Sequence, residues 1–299
     1  MTTPGSRAGG WLGYALITTV LWGVWGAFTG LPGQNGFPET LVYVVWALTM
    51  VPPALLVLAR AGWRVRTGGR AVFYGLTIGL LGAGGQMILL YAVKAGPPYL
   101  IFPLISLSPV ITIALSYLFL RERTGLLGVA GIVLAVCALP LFDFTPGGMP
   151  RQYGVWFVLA IGVMVAWGVQ AYFMKLANAS MDAESIFFYM TVSALLCIPV
   201  ALLMTDFSQP INYGWDGPPL AAVTQVLNAV GALTLVHAFR RGKALVVSPL
   251  VNAGAPLLTT AIAMAMAATL PSGYKLAGIV LSLVAALCLA LQPDDTPAD

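Results

Sequence analysis

Trp22 and Trp25 stand three residues apart in one long apolar run, and Trp167 and Gln170 stand three apart in another, 145 residues later. Spacing of three places each pair on one helix face. An indole offers a wide surface for stacking an apolar or ring-shaped group, and it ordinarily sits at a membrane interface rather than mid-span. Other apolar runs carry uncharged hydrogen-bonding groups: Gln86, Ser106 and Ser108, Gln225 and Asn228, and Ser248 and Asn252. Pro103 and Pro109 stand beside the first serines, and Pro249 and Pro256 beside Ser248 and Asn252. Each proline removes a backbone donor and loosens a helix. Freed carbonyls are tolerated at membrane depth only where protein or water satisfies them. The chemistry on offer is binding by stacking and neutral hydrogen bonds. For each of these residues the alternative is packing or hydrogen bonding between helices, the latter worth about 0.6 kcal/mol on average.

What is missing narrows the reading. The ten carboxylates, Glu39 and Glu122 through Asp295 and Asp299, all fall in loops or at helix ends. Carboxylates in the hydrocarbon core mark proton relays, so carboxylate-coupled exchange is not expected and the mid-span site is neutral. His237 is the only histidine and lies beside Arg240 and Arg241, which suits packing at an interface better than proton coupling. Cys137, Cys197 and Cys288 sit in apolar runs without CxxC spacing, which indicates neither a disulfide framework nor a zinc site. No metal and no cofactor is expected.

These residues need a framework. Of the 299 residues 59% are hydrophobic and only 8% charged, with a mean hydropathy of +0.90. A soluble surface or a disordered chain requires far more charge. The net charge of +4 comes from scattered residues rather than a basic stripe, so nucleic acid is not a partner. A helix needs about 20 apolar residues to cross the bilayer. That ruler predicts ten spans: 12–31, 39–59, 71–93, 97–120, 125–142, 153–175, 184–205, 219–239, 244–268 and 273–292. The fold class is thus an all-α polytopic membrane protein. With the N-terminus inside, eleven of the 14 Lys and Arg residues lie on the cytoplasmic side, as the positive-inside rule requires. Both termini are then cytoplasmic.

The halves repeat. Trp22-Gly23-Val24 returns as Trp167-Gly168-Val169, Gly96 and Pro103 as Gly242 and Pro249, and Gly131-Ile132-Val133-Leu134 as Gly278-Ile279-Val280-Leu281. The offset drifts only from 145 to 147. Residues 1–143 form the first five-helix repeat, 153–293 the second, and 294–299 a cytoplasmic tail. Five is odd, so the second copy enters the membrane inverted. Charges agree, since the Arg60–Arg70 stretch is basic while its counterpart between Asp206 and Asp216 has no Lys or Arg. Inverted repeats with a midplane site are an architecture of secondary transporters. Within the third span, Gly75, Gly79, Gly82, Gly84 and Gly85 have the small-residue spacing of close helix approach.

The stretch from Gly96 to Gly131, with Pro103, Ser108-Pro109, Tyr117-Leu118-Phe119-Leu120-Arg121-Glu122, Gly128 and Gly131, resembles the end of the EamA repeat of the drug/metabolite transporter superfamily. The second copy keeps Pro249, Gly254-Ala255-Pro256 and Gly278, but Ala268 falls near the position of the glutamate. The resemblance implies an alternating-access carrier whose cavity is lined by the first, third and fourth helices of each repeat. It also raises Glu122 from a helix-end charge between Arg121 and Arg123 to a gate candidate. The expected function is secondary transport of a small neutral, zwitterionic or amphipathic metabolite, such as an amino acid, across the cell (inner) membrane. Export is favoured by the resemblance alone. The alternatives are an importer of sugars or other metabolites with the same fold, or a membrane-embedded enzyme, which the lone histidine makes difficult. The expected partners are the substrate and the lipid bilayer, with monomer and homodimer both open.

Overall fold

The computed structural model describes residues 10–121, 125–142, 154–178, 180–241, 244–268 and 270–291. Their regular structure is helical throughout: α1 (Gly10–Phe28), α2 (Leu31–Gln34), α3 (Glu39–Thr49), α4 (Val51–Arg60), α5 (Gly69–Ala95), α6 (Pro98–Ile105), α7 (Ser108–Leu120), α8 (Leu126–Ala138), α9 (Val155–Ala177), α10 (Ala183–Leu196), α11 (Ile198–Leu203), α12 (Pro218–Arg241), α13 (Ala244–Ala267) and α14 (Gly273–Ala290). A short 3₁₀ turn, Leu139–Phe142, extends α8. Several pairs run on into one another, so that nine segments among the described residues are long and apolar enough to cross a membrane. The tenth apolar segment, Leu126–Phe142, is shorter.

Proline decides where spans are interrupted. α3 gives way to α4 at Met50, just before Pro52 and Pro53, and α10 gives way to α11 at Cys197, just before Pro199. Pro52 and Pro199 lie 147 apart, the repeat offset. A proline at the start of a helical segment forfeits nothing, because that N–H has no partner there anyway. Pro109 likewise opens α7, and Ser106 and Leu107 form the break that precedes it. Pro103 lies inside α6, and Pro249 and Pro256 lie inside α13, which runs unbroken from Ala244 to Ala267.

The described residues fall into two compact units. One comprises residues 1–27, 98–152 and 230–299, and the other residues 28–97 and 153–229. Each draws helices from both halves of the chain, so neither sequence repeat is a self-contained packing unit. In the first unit α8 and α14 approach through a reciprocal pair of glycines. A Cβ at Gly131 would meet Leu289 at 2.7 Å and the Ala285 carbonyl at 3.1 Å; one at Gly278 would meet Leu141 at 3.1 Å and the Ala138 carbonyl at 3.5 Å. Gly131 and Gly278 are 147 apart, as are Ala138 and Ala285. The same contact is therefore made twice with the helices exchanged.

In the second unit the glycine string of α5 supplies two seams. Gly75 and Gly79 lie against Tyr189 and Ser193 of α10, while Gly82 and Gly85 lie against Gln170 and Trp167 of α9. Only backbone approaches this closely, and in lipid such packing rather than apolar burial drives helix association. The start of α10 is capped by Asp182, whose Oδ1 accepts from the Ser185 N–H at 2.8 Å. Two connecting loops of this unit are stitched by amides: the Asn212 N–H donates to the Gly36 carbonyl at 3.1 Å, and its side chain to the Asn35 carbonyl at 2.8 Å.

Candidate functional site

In the first unit, α1 carries Trp22 and Trp25 at different depths. Trp25 is buried and meets Phe102 of α6 edge to face, with ring centroids 5.8 Å apart. Trp22 is half-buried, and the pyrrole edge of its indole lies where a Cβ at Gly231 of α12 would be. Hydroxyls tie this helix to its neighbours. Thr18 and Thr234 share a hydrogen bond of 2.8 Å, and Thr259 of α13 donates to the Gly23 carbonyl at 2.9 Å. Ser106 donates to the Pro103 carbonyl at 2.6 Å, closing the turn that interrupts the span, and Ser108 beyond it is half-buried. Asn252, on α13, is exposed. His237 bonds the Leu233 carbonyl through Nδ1 at 2.9 Å and stacks obliquely on Tyr14.

In the second unit, Trp167 of α9 is half-buried with its pyrrole edge over Gly85. One turn on, Gln170 is buried and donates from Nε2 to the Ile78 carbonyl at 3.0 Å. Gln225 is fully buried and donates to Thr29 Oγ1 at 3.0 Å, while half-buried Asn228 accepts from the Trp46 indole at 3.2 Å. Gln86 is 3% exposed, and its Nε2 meets no acceptor among the described residues. A buried amide donor without a partner costs about 1–3 kcal/mol.

The structure thus gathers Trp167, Gln170 and the α5 glycines along one seam, and pairs Trp22 with Gly231 and Asn228 with Trp46. Gln225 and Gln170 are committed to interhelical bonds. Glu122 lies outside the described residues, as do the side chains of Ser248 and Pro249.

One pair escapes the sequence reading. Glu39, at the first position of α3, is 6% exposed, and Lys94 near the end of α5 lies 2.9 Å from both of its carboxylate oxygens. Glu184, at the start of α10, is also buried, at 7% exposure. Their separation of 145 equals that of Trp22 and Trp167, which was the signal available. Among the described residues, no group of three or more His, Cys, Asp or Glu could hold a metal ion. What the arrangement offers is stacking surface, neutral hydrogen bonds and the Glu39–Lys94 ion pair at a helix end.

A sequence model of the EamA-like transporter family matches residues 9–142 and again residues 154–291. An uncharacterized protein of Methanocaldococcus jannaschii is 27% identical over 130 residues, which is 93% of that protein and 44% of this chain. The relative is therefore about the length of one repeat. A crystal structure of another protein matches with a TM-score of 0.64 at 21% identity, covering 95% of this chain and 96% of that one. That likeness concerns the fold.

Proposed function

This chain belongs to the EamA-like transporter family, and from that premise we propose that it is a secondary transporter for a small neutral, zwitterionic or amphipathic metabolite. It works by alternating access in the export direction across the cell (inner) membrane, with both termini cytoplasmic. The observation that carries this reading is the repeated half-buried indole: Trp22 on Gly231 in one unit and Trp167 on Gly85 in the other. A glycine beneath each ring fixes its edge by close approach, while the side chain keeps part of its surface open. Trp22 in the first unit and Trp167 in the second are the proposed stacking surfaces, and the amides of Gln86, Asn228 and Asn252 are the proposed hydrogen-bonding groups, each taken within its own unit. No Asp, Glu, Lys or Arg stands at mid-span, which supports a cargo without strong net charge, since an unpaired ion there is costly.

The test is a thermal-shift screen of the purified protein with amino acids, sugars, nucleobases and small amines, because a ligand of the native state stabilises it by mass action. Counterflow of each hit is then measured in proteoliposomes without ATP. Trp22→Ala and Trp167→Ala are each expected to weaken binding about tenfold or more, the loss of a large buried aromatic surface. Cys137→Ala, on an exposed position of α8, leaves it unchanged. Parental affinity in both tryptophan variants at unchanged Tm removes them from the site.

A further inference from the structure

We infer that the loop between α4 and α5 is a binding surface for the phosphate headgroup of anionic phospholipids. Arg60, Arg64, Arg66 and Arg70 are all exposed there, and Arg64 and Arg70 have no ion partner among the described residues. Between them Trp63 is 62% exposed. Its backbone sits at φ +59°, a left-handed conformation that a bulky residue adopts only when held. The Trp63 N–H is bound to the Leu58 carbonyl at 2.8 Å, which closes the end of α4. The indole of Trp63 is thus held largely exposed beside the arginines.

The loop is also tied to α10, which separates it from an ordinary basic linker. The Arg66 N–H donates to Ser185 Oγ at 3.0 Å, and the Tyr189 hydroxyl donates to the Arg66 carbonyl at 2.8 Å. Val65 packs into the cluster of Ile78, Met181, Ile186 and Tyr189. Asp182, 3.8 Å from Arg66, draws on one of the four charges only. Guanidinium forks match phosphate oxygens in pairs, an indole settles at headgroup depth, and juxtamembrane basic clusters are drawn to anionic leaflets. The repeat-related loop supplies the contrast. Between Thr205 and Gly217 it exposes Phe207, Tyr213 and Trp215 but has no Lys or Arg, and it contains Asp206 and Asp216. It has the aromatic half of an interfacial anchor without the phosphate-binding half.

Binding is independent of cargo, so this inference stands or falls apart from transport. The protein is placed in nanodiscs of phosphatidylcholine with and without phosphatidylglycerol, and the Tm increment produced by the anionic lipid is measured. The parent should gain stability from phosphatidylglycerol, and inorganic phosphate added to phosphatidylcholine nanodiscs should not reproduce the gain. The Arg64→Gln/Arg70→Gln double variant should match the parent in phosphatidylcholine and lose most of the increment. An equal increment in that variant, or a full increment from free phosphate, overturns the inference. If the variant is unstable in both lipids, quenching decides: brominated phosphatidylglycerol should quench the fluorescence lost in Trp63→Phe more strongly than brominated phosphatidylcholine does. Equal quenching overturns it.

Discussion

In one unit the indole of Trp167 rests on Gly85, and in the other the indole of Trp22 rests on Gly231. Both contacts involve the same ring edge, and they join residues related by the repeat. Their surroundings have diverged. Three residues beyond Trp167 stands Gln170, bonded to a backbone carbonyl above Gly82; three beyond Trp22 stands Trp25, packed against Phe102. Where the first copy has Gly82 the second has Asn228, which accepts from Trp46. Backbone approach has been kept in both copies, while the polar groups beside it have been redistributed. The packing thus preserves two equivalent units, and the chemistry that would recognise a cargo need not be symmetric.

The ion pair at the start of α3 should give the largest effect. Lys94→Ala leaves the Glu39 carboxylate buried and uncompensated, an event that costs about 3–5 kcal/mol in a closed interior. Lys94 is itself 54% exposed, so screening reduces this to about 1–3 kcal/mol. Thermal melts should show Lys94→Ala well below the parent and Glu39→Gln closer to it, since the amide carries no charge. The reverse order would mean that the pair does not hold α3 to α5.

Next come the glycines on which the comparison rests. Gly85→Ala and Gly231→Ala each drive a methyl into an indole, an overpacking cost of about 1–3 kcal/mol, offset by up to about 1 kcal/mol of helix propensity. Both should lower Tm by similar amounts. A fall in one and a rise in the other would break the equivalence of the two contacts.

Asn228→Ala sharpens the asymmetric part. It removes the acceptor of the Trp46 indole, worth about 0.5–1.5 kcal/mol, and should weaken ligand binding more than it lowers Tm. Equal losses would assign Asn228 to packing alone.

The smallest effect belongs to the outer loop of the second copy. The hydroxyl and N–H of Ser208 both donate to the Asp206 carboxylate, at 2.6 and 3.0 Å, and hold it below the ordinary carboxylate range. A lowered folded pKa contributes stability above the unfolded value of about 3.9 and loses it as pH falls below that value. Asp206→Asn should flatten a slight acid-side decline in Tm and change nothing near neutrality.

Much of this was written in the chain. Apolar run lengths located the spans within a few residues, because a bilayer sets one length for all. The glycine string foretold close approach at Gly75, Gly79, Gly82 and Gly85, since only glycine allows it, but not at Gly84, where a Cβ would meet open space. The breaks at Met50 and Cys197 were less legible: Pro52 and Pro199 lie in runs that read as uninterrupted, and a proline may start a segment or sit within one. Pro256 does the latter. The partners of the amides were not legible at all. Gln225 and Thr29 are 196 residues apart, and no local pattern joins them. Nor did composition distinguish Gln86, whose donor stays unmatched, from Gln170, whose donor is used.

The claim underneath all of this is that the two copies enter the membrane in opposite senses. It is tested by replacing Cys137, Cys197 and Cys288 and then introducing a single cysteine at Thr67 or at Tyr213, both exposed positions in repeat-related loops. Labelling with a membrane-impermeant thiol reagent, on intact cells and on inverted vesicles, reads which side each faces. The expected result is reaction of Thr67→Cys only from the cytoplasmic side and of Tyr213→Cys only from the outside. Reaction of both from the same side would contradict the inverted repeat and the transport mechanism built on it.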